Sequence, residues 1–214
     1  MKKYIILIFA AFLSNCVTPP SISPSNSMKS SLIVFEMEYN ASMISPNFFA
    51  DEIYLIKLDA KKSLIQPSIL KTNYTARKRV YLLNIDPGSY AIVGFHYLEP
   101  GAAETQLSWY VTLDENSVKK TIFDIKPGEI KYFGRIKLMN PHNGFLSPGP
   151  SDVDTIQAHY LEVLSPGLLA SSYGFTKAGI AKIENIDNKQ ETLERLKADV
   201  RSDVGDTEWS SLVK

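Results

Sequence analysis

The sequence predicts a mainly β fold, an antiparallel β-sandwich finished by a C-terminal amphipathic helix. Three observations carry this. Aromatic residues are abundant, eleven Tyr and ten Phe, and such side chains suit the pleated surface of a strand. Short apolar runs recur between residues 32 and 164, parted by Pro, Gly and Asn, which is the punctuation of strands and turns. One phrase occurs twice: Ile85-x-Pro87-Gly88-x5-Gly94 returns as Ile125-x-Pro127-Gly128-x5-Gly134.

Taken in order, the chain opens on Lys2 and Lys3, followed by an apolar run over residues 4–13. Its length fits the roughly 7–15 residues of an export-signal core and falls short of the about 20 that a membrane span needs. Leu13-Ser14-Asn15-Cys16 follows. This tetrapeptide resembles the lipobox of bacterial lipoproteins, in the looser spirochaete form that accepts a polar residue such as Asn15 before the cysteine. The resemblance implies removal of residues 1–15 and a diacyl or triacyl group on Cys16. Cys16 is the single cysteine of the chain, so no intramolecular disulfide forms, and lipidation accounts for the lone thiol. Residues 16–31 are rich in Pro and Ser and have little apolar surface. They read as a flexible tether, which sets a folded body roughly 20 Å from the lipid at 5–6 Å × √n.

Residues 32–38 form the first expected strand, with Ile33, Phe35 and Met37 on one face and Leu32 and Val34 on the other. A loop over residues 39–51 precedes a second strand at 52–58, and a Pro67-interrupted piece reads as a short edge strand. Strands at 79–85 and 89–98 flank Asp86-Pro87-Gly88. Pro presets φ and Gly accepts φ > 0, which suits a type II turn. Type II turns match the twist of tight hairpins poorly, so Pro87 and Gly88 are expected to make a corner between sheets. Further strands are expected at 107–113, 119–125, 129–138 and 155–164, with Pro127 and Gly128 repeating the corner. Residues 165–187 are of mixed character. Asn188-Lys189-Gln190-Glu191 reads as a capping box, after which Leu193, Leu196, Val200 and Val204 recur at helical spacing with Gly205 as the stop. The domain reading is thus a signal (1–15), a lipidated tether (16–31), a β-sandwich (32–164), and a mixed segment with a C-terminal helix (165–214).

The two Pro-Gly units resemble the strand-corner-strand pattern of transthyretin-like and carboxypeptidase-regulatory-like sandwich modules. Ile130-Lys131-Tyr132-Phe133 resembles a strand of small domains found in bacterial lipoproteins. The resemblance implies a fold and a cell-envelope setting, and brings no catalytic residue with it.

Charge narrows the function. The 23 basic residues balance 23 acidic ones, so no net field draws nucleic acid to the chain. His96, His142 and His159 stand without zinc-ligand spacing, and no Gly-x-Ser-x-Gly, phosphate-binding loop or dinucleotide fingerprint is present. No cofactor or metal is expected. His96 with Glu99 and Glu104 offers a conceivable acid/base group, Asp152 and Asp154 a conceivable calcium pair, and Trp109-Tyr110 a conceivable sugar platform. Each has a plainer reading, as half-buried strand residue, turn and core. The expected function is therefore that of a lipid-anchored, non-enzymatic envelope protein, outer membrane favoured, with a structural or protein-interaction role through a loop such as residues 140–154. The alternative is a carbohydrate- or peptidoglycan-binding module and, behind it, an envelope hydrolase. The membrane, reached through Cys16, is the expected partner, with an envelope protein or glycan beside it.

Overall fold

A computed structural model describes residues 31–41, 47–100, 105–142, 148–168, 174–205 and 207–213. Residues 1–30, with the expected signal, lipobox and tether, lie outside the described residues, as do Glu104 and the middle of the 140–154 loop. The strands are β1 (Ser31–Asn40), β2 (Phe48–Phe49), β3 (Glu52–Lys57), β4 (Leu70–Lys71), β5 (Tyr74–Ala76), β6 (Arg79–Ile85), β7 (Gly88–Pro100), β8 (Gln106–Leu113), β9 (Phe123–Ile125), β10 (Ile130–Met139) and β11 (Thr176–Asp187). The helices are α1 (Glu115–Lys120), α2 (Thr155–Leu164) and α3 (Gln190–Asp203). The protein is mainly β with a C-terminal helix, as expected.

The strands form one sheet in the order β4-β3-β7-β8-β11-β10-β1-β6-β5, with β2 on β1 and β9 on β7. It is mixed where an antiparallel sandwich was expected, because β1 pairs with β10 and β11 pairs with β8 in parallel. The sheet curls into a half-barrel. Tyr39 of β1 packs 5.2 Å from Phe95 of β7, and Phe48 of β2 stacks 4.7 Å from Tyr97, although three strands separate β1 from β7 along the sheet. Ring edges and faces that meet across the interior do what a second sheet would do in a sandwich.

Alternation along β1 assigns the two faces as the sequence implied. Ile33, Phe35, Met37 and Tyr39 enter the large interior cluster. Leu32 and Val34 join Tyr81 and Leu83 under Leu196 and Val200 of α3 and Val204 just past its end, with Trp209 and Val213 sealing the cluster. A helix at 3.6-residue spacing here covers the outer face of a strand pair whose alternation is apolar on both sides. Beyond Val34 the outer face of β1 turns acidic, and Glu36 meets Arg135 at 3.3 Å and Arg195 of α3 at 3.2 Å.

The Pro-Gly repeat has a structural counterpart in its distal glycines. Gly94 lies where the β3–β7 register slips, and Gly134 where the β1–β10 register slips. A Cβ on Gly94 would stand 2.5 Å from the Val111 carbonyl oxygen, and one on Gly134 would stand 2.5 Å from that of Asp187. Bulges bend a sheet, and both fall in long strands of the curl. The corners themselves differ. Gly128 at φ +71° and the Glu129 amide donating to the Lys126 carbonyl at 3.1 Å close a tight turn. Gly88 stands at φ +152°, far from the +80° of the expected type II turn. The turn joins β6 to β7, which lie far apart in the order of the single sheet, so it is not a corner between two sheets.

Three local expectations are corrected. Residues 155–164 form helix α2, not a strand: Asp154 accepts from the Gln157 amide and the Gln157 side chain accepts from the Asp154 amide, a reciprocal cap. Ile156, Tyr160 and Leu161 are its buried apolar residues, so spacing by four overrides the alternation that ran through exposed Glu162. Residues 119–125 split into the end of α1 and the short β9, because Asp114 caps α1 by accepting from the Ser117 amide at 2.8 Å. Within the mixed segment 165–187, β11 enters the sheet between β8 and β10, so the sheet continues past residue 164.

Candidate functional site

The curl leaves a seam between β3 and β6. On its seam side β3 is paired with β4 only at Tyr54 and Leu55, and β6 with β5 only from Arg79 to Tyr81. The crossing from β4 to β5 stitches one end of the seam shut. The Ile53 amide donates to Thr72 Oγ1 at 2.9 Å, and the Asn73 amide donates to the Tyr81 carbonyl at 2.9 Å. The Asn73 side chain then acts as one further strand residue: Oδ1 accepts from the Leu83 amide at 2.9 Å, while Nδ2 donates to the Leu83 carbonyl at 3.1 Å.

Past this stitch the seam opens as a groove of about 660 Å³, within the range of about 300–1,000 Å³ usual for small-molecule sites. Its apolar lining is Leu58, Pro67, Leu70, Leu82, Leu83, Ile85 and Tyr90, and the charges among its lining residues are Lys57, Asp59 and Asp86. Leu58, Leu82, Ile85 and Tyr90 belong to the interior cluster, so the groove runs over the end of the core. The Tyr90 hydroxyl donates to the Asp86 carbonyl at 2.7 Å, and burial pushes its pKa up to about 12, which keeps the phenol neutral. Lys57 Nζ stands 5.8 Å from the Tyr90 ring centre, where ring and cation attract.

A second concavity, of about 470 Å³, lies beside His96 and is lined by Asp51, Glu52, Thr72, Tyr74 and Thr75. His96 Nε2 is hydrogen-bonded to Ser108 Oγ at 2.7 Å. Burial lowers the His96 pKa and raises that of Asp51, so each group is pushed toward its neutral form. Glu99 is not part of this group. Three residues along a strand it faces the other way, and its carboxylate accepts from the Trp109 indole N–H at 2.7 Å. The structure thus separates His96 from Glu99.

Trp109 is 7% exposed and stacks 6.0 Å from Tyr97 on the inner face. Tyr110 emerges on the outer face, stacked 6.4 Å from Tyr54 beside Lys71, Ile69, Val163 and Leu164 around a hollow of about 270 Å³. Of the conceivable sugar platform only Tyr110 reaches a surface hollow. Asp152 accepts from the Gly149 amide, and Asp154 accepts from both the Gln157 and the Glu115 amides, each at 2.8 Å for Asp154. These carboxylates serve turns and helix starts. Among the described residues no three His, Cys, Asp or Glu side chains gather in a way that holds a metal ion, and no helix is long and apolar enough to cross a membrane.

The seam was missed at the level of sequence. Its walls come from residues 57–59 and 82–90, brought together by the curl, and Asn73 stands in a polar stretch with no motif around it. No protein-family model matches the chain, and a search of curated proteins finds no match.

Proposed function

We propose that the chain is a lipid-anchored, non-enzymatic protein of a bacterial cell envelope, outer membrane favoured, with a structural or interaction role, and that the seam is where it meets another envelope component. The observation that carries the reading is the seam itself, a groove of about 660 Å³ that runs over one end of the apolar core. Exposed apolar surface at a concave site is the ordinary mark of binding. The address comes from Lys2, Lys3 and the Leu13-Ser14-Asn15-Cys16 lipobox. The likeness of the Pro-Gly units to transthyretin-like modules belongs to the same reading, as a likeness of units rather than of the whole sheet.

Two acyl chains or more hold a protein stably, since each buried methylene contributes about 0.8 kcal/mol. Cys16→Ala is therefore expected to release the protein from membranes and to block processing of the signal. A photoreactive residue at Leu70, on the lip of the seam and 38% exposed, is expected to label an envelope component in intact cells. Retention and normal processing of the Cys16→Ala variant would refute the anchor.

A second reading, a carbohydrate- or peptidoglycan-binding module, is favoured by the Tyr54–Tyr110 stack beside Lys71. It requires that purified peptidoglycan retain the protein and that Tyr110→Ala abolish retention.

A further inference from the structure

We infer that the seam groove accepts an acyl chain of a lipid from the bilayer that carries the protein. The inference rests on the reading of the seam as the meeting place with an envelope component, and names that component's chemistry.

The groove favours an apolar chain over a peptide strand. An added strand draws its affinity from main-chain hydrogen bonds along a free edge. Here the Tyr81 carbonyl and both peptide groups of Leu83 are already engaged by Asn73. One residue on, the β1–β6 register slips between Ser31↔Ile85 and Leu32↔Leu83, leaving Asn84 at φ +58° as the extra residue. A bulge of this kind ends regular pairing. The edge is thus blunted against strand addition, while the side chains of Leu58, Leu70, Leu82 and Ile85 remain on the groove wall.

Sugars are disfavoured by the same wall. Tyr90 is buried at 1% exposure and its hydroxyl is spent on the Asp86 carbonyl, so no open ring face is offered for stacking. What remains is apolar surface with the charges of Lys57, Asp59 and Asp86 and the polar groups of Gln66, Ser68, Asn73 and Asn84 around it, which suits a hydrocarbon chain inside and a polar head in water.

Position points to a membrane source. Ser31, the first described residue, pairs with Ile85, which lines the groove. Fourteen residues separate it from Cys16, so the groove lies within roughly 50 Å of the anchored cysteine even at full extension of about 3.5 Å per residue. Lipid is the most concentrated apolar chain within that reach.

The test uses the full-length protein in its lipidated form, reconstituted into vesicles of phosphatidylethanolamine and phosphatidylglycerol that contain a phospholipid with a diazirine at the end of one acyl chain. After illumination and digestion, labelled peptides are expected from residues 56–59, 66–70 and 82–90. Leu70→Asp, at a lip position that is 38% exposed, is expected to cut seam labelling at least fivefold with an unchanged melting curve. Label confined to residues 1–30, label spread evenly over the surface, or seam label indifferent to Leu70→Asp would each overturn the inference. Cys16→Ser separates the two layers of the argument. Seam labelling that persists in a Cys16→Ser protein still held by the vesicles would uphold the acyl site and sink the anchor. Loss of that variant from the vesicles, with an unlabelled seam in the parent, would uphold the anchor and sink the acyl site.

Discussion

Asp203→Asn tests how α3 is held to the sheet. Arg79 on β6 is 6% exposed in its side chain and Asp203, the last residue of α3, is 2% exposed. Arg79 Nε donates to Asp203 Oδ2 at 2.6 Å and Nη2 donates to Oδ1 at 2.9 Å, while the Tyr81 hydroxyl donates to the same carboxylate. The bond to Asp203 raises the Arg79 pKa above its ordinary value, so the guanidinium keeps its charge at any working pH. Removing one partner of a buried pair costs about 3–5 kcal/mol, because a desolvated charge is left behind. Asp199, 2.9 Å from Nη1 and 31% exposed, offsets part of this through a hydrogen bond to a charged group, about 1.5 kcal/mol. Asp203→Asn is therefore expected to cost about 2–3 kcal/mol and Asp199→Asn about 1 kcal/mol or less. Urea unfolding followed by tryptophan fluorescence measures both, with Trp209 reporting on the α3 cluster. The double variant Arg79→Met/Asp203→Leu, which removes both charges, is expected to recover most of the loss. An Asp203→Asn cost no larger than that of Asp199→Asn, or a double variant as costly as the sum of its singles, would refute the account.

Three further outcomes follow from the same structure. Gly134→Ala places a Cβ 2.5 Å from the Asp187 carbonyl oxygen at a φ of +95°, and is expected to cost about 3 kcal/mol or more in urea unfolding from strain and clash together. Asp154→Ala removes the α2 cap and the bond from the Glu115 amide at 2.8 Å, for about 2 kcal/mol combined; Asp152→Ala, serving only a short turn, is expected to cost less than half as much in the same melts. His96, whose folded pKa is lowered by burial, binds fewer protons folded than unfolded below about pH 6.5. Its contribution is therefore intact above that pH and is lost as pH falls toward the folded value, so His96→Gln is expected to flatten the decline in urea midpoint between about pH 7 and pH 5. Asp51, raised by burial, has the opposite sign: its contribution is full below the ordinary carboxylate range and is lost as pH rises through the folded value. An Asp51→Asn variant is expected to steepen the acid-side decline, and an unchanged profile in both variants would contradict the assignment.

Periodicity read well where one element decides its own burial. β1 shows alternating faces in the sequence and in the sheet, and α3 shows the Leu196 and Val200 stripe, continued by its C-cap Val204, that seals the outer face. It misread residues 155–164, where a cap at Asp154 and Gln157 decides for helix and the alternation through Glu162 was accidental. The local signal that would have corrected it, Asp-x-x-Gln before an apolar run, was present in the sequence.

By itself the sequence determined the β character, the long strand that follows each Pro-Gly, the C-terminal helix, and the motif on which the proposed anchor rests, because each is a property of neighbouring residues. Only the tertiary structure decided that the strands form one mixed sheet, since parallel partners such as β1 and β10 lie some ninety residues apart and pairing across that distance leaves no periodic trace. The tertiary structure likewise decided that Glu99 meets the Trp109 indole, and that Leu58 and Ile85 share a groove wall stitched at one end by Asn73. A side chain's chemistry is written in its residue type, whereas its neighbours are chosen by how far the sheet bends before its edges meet.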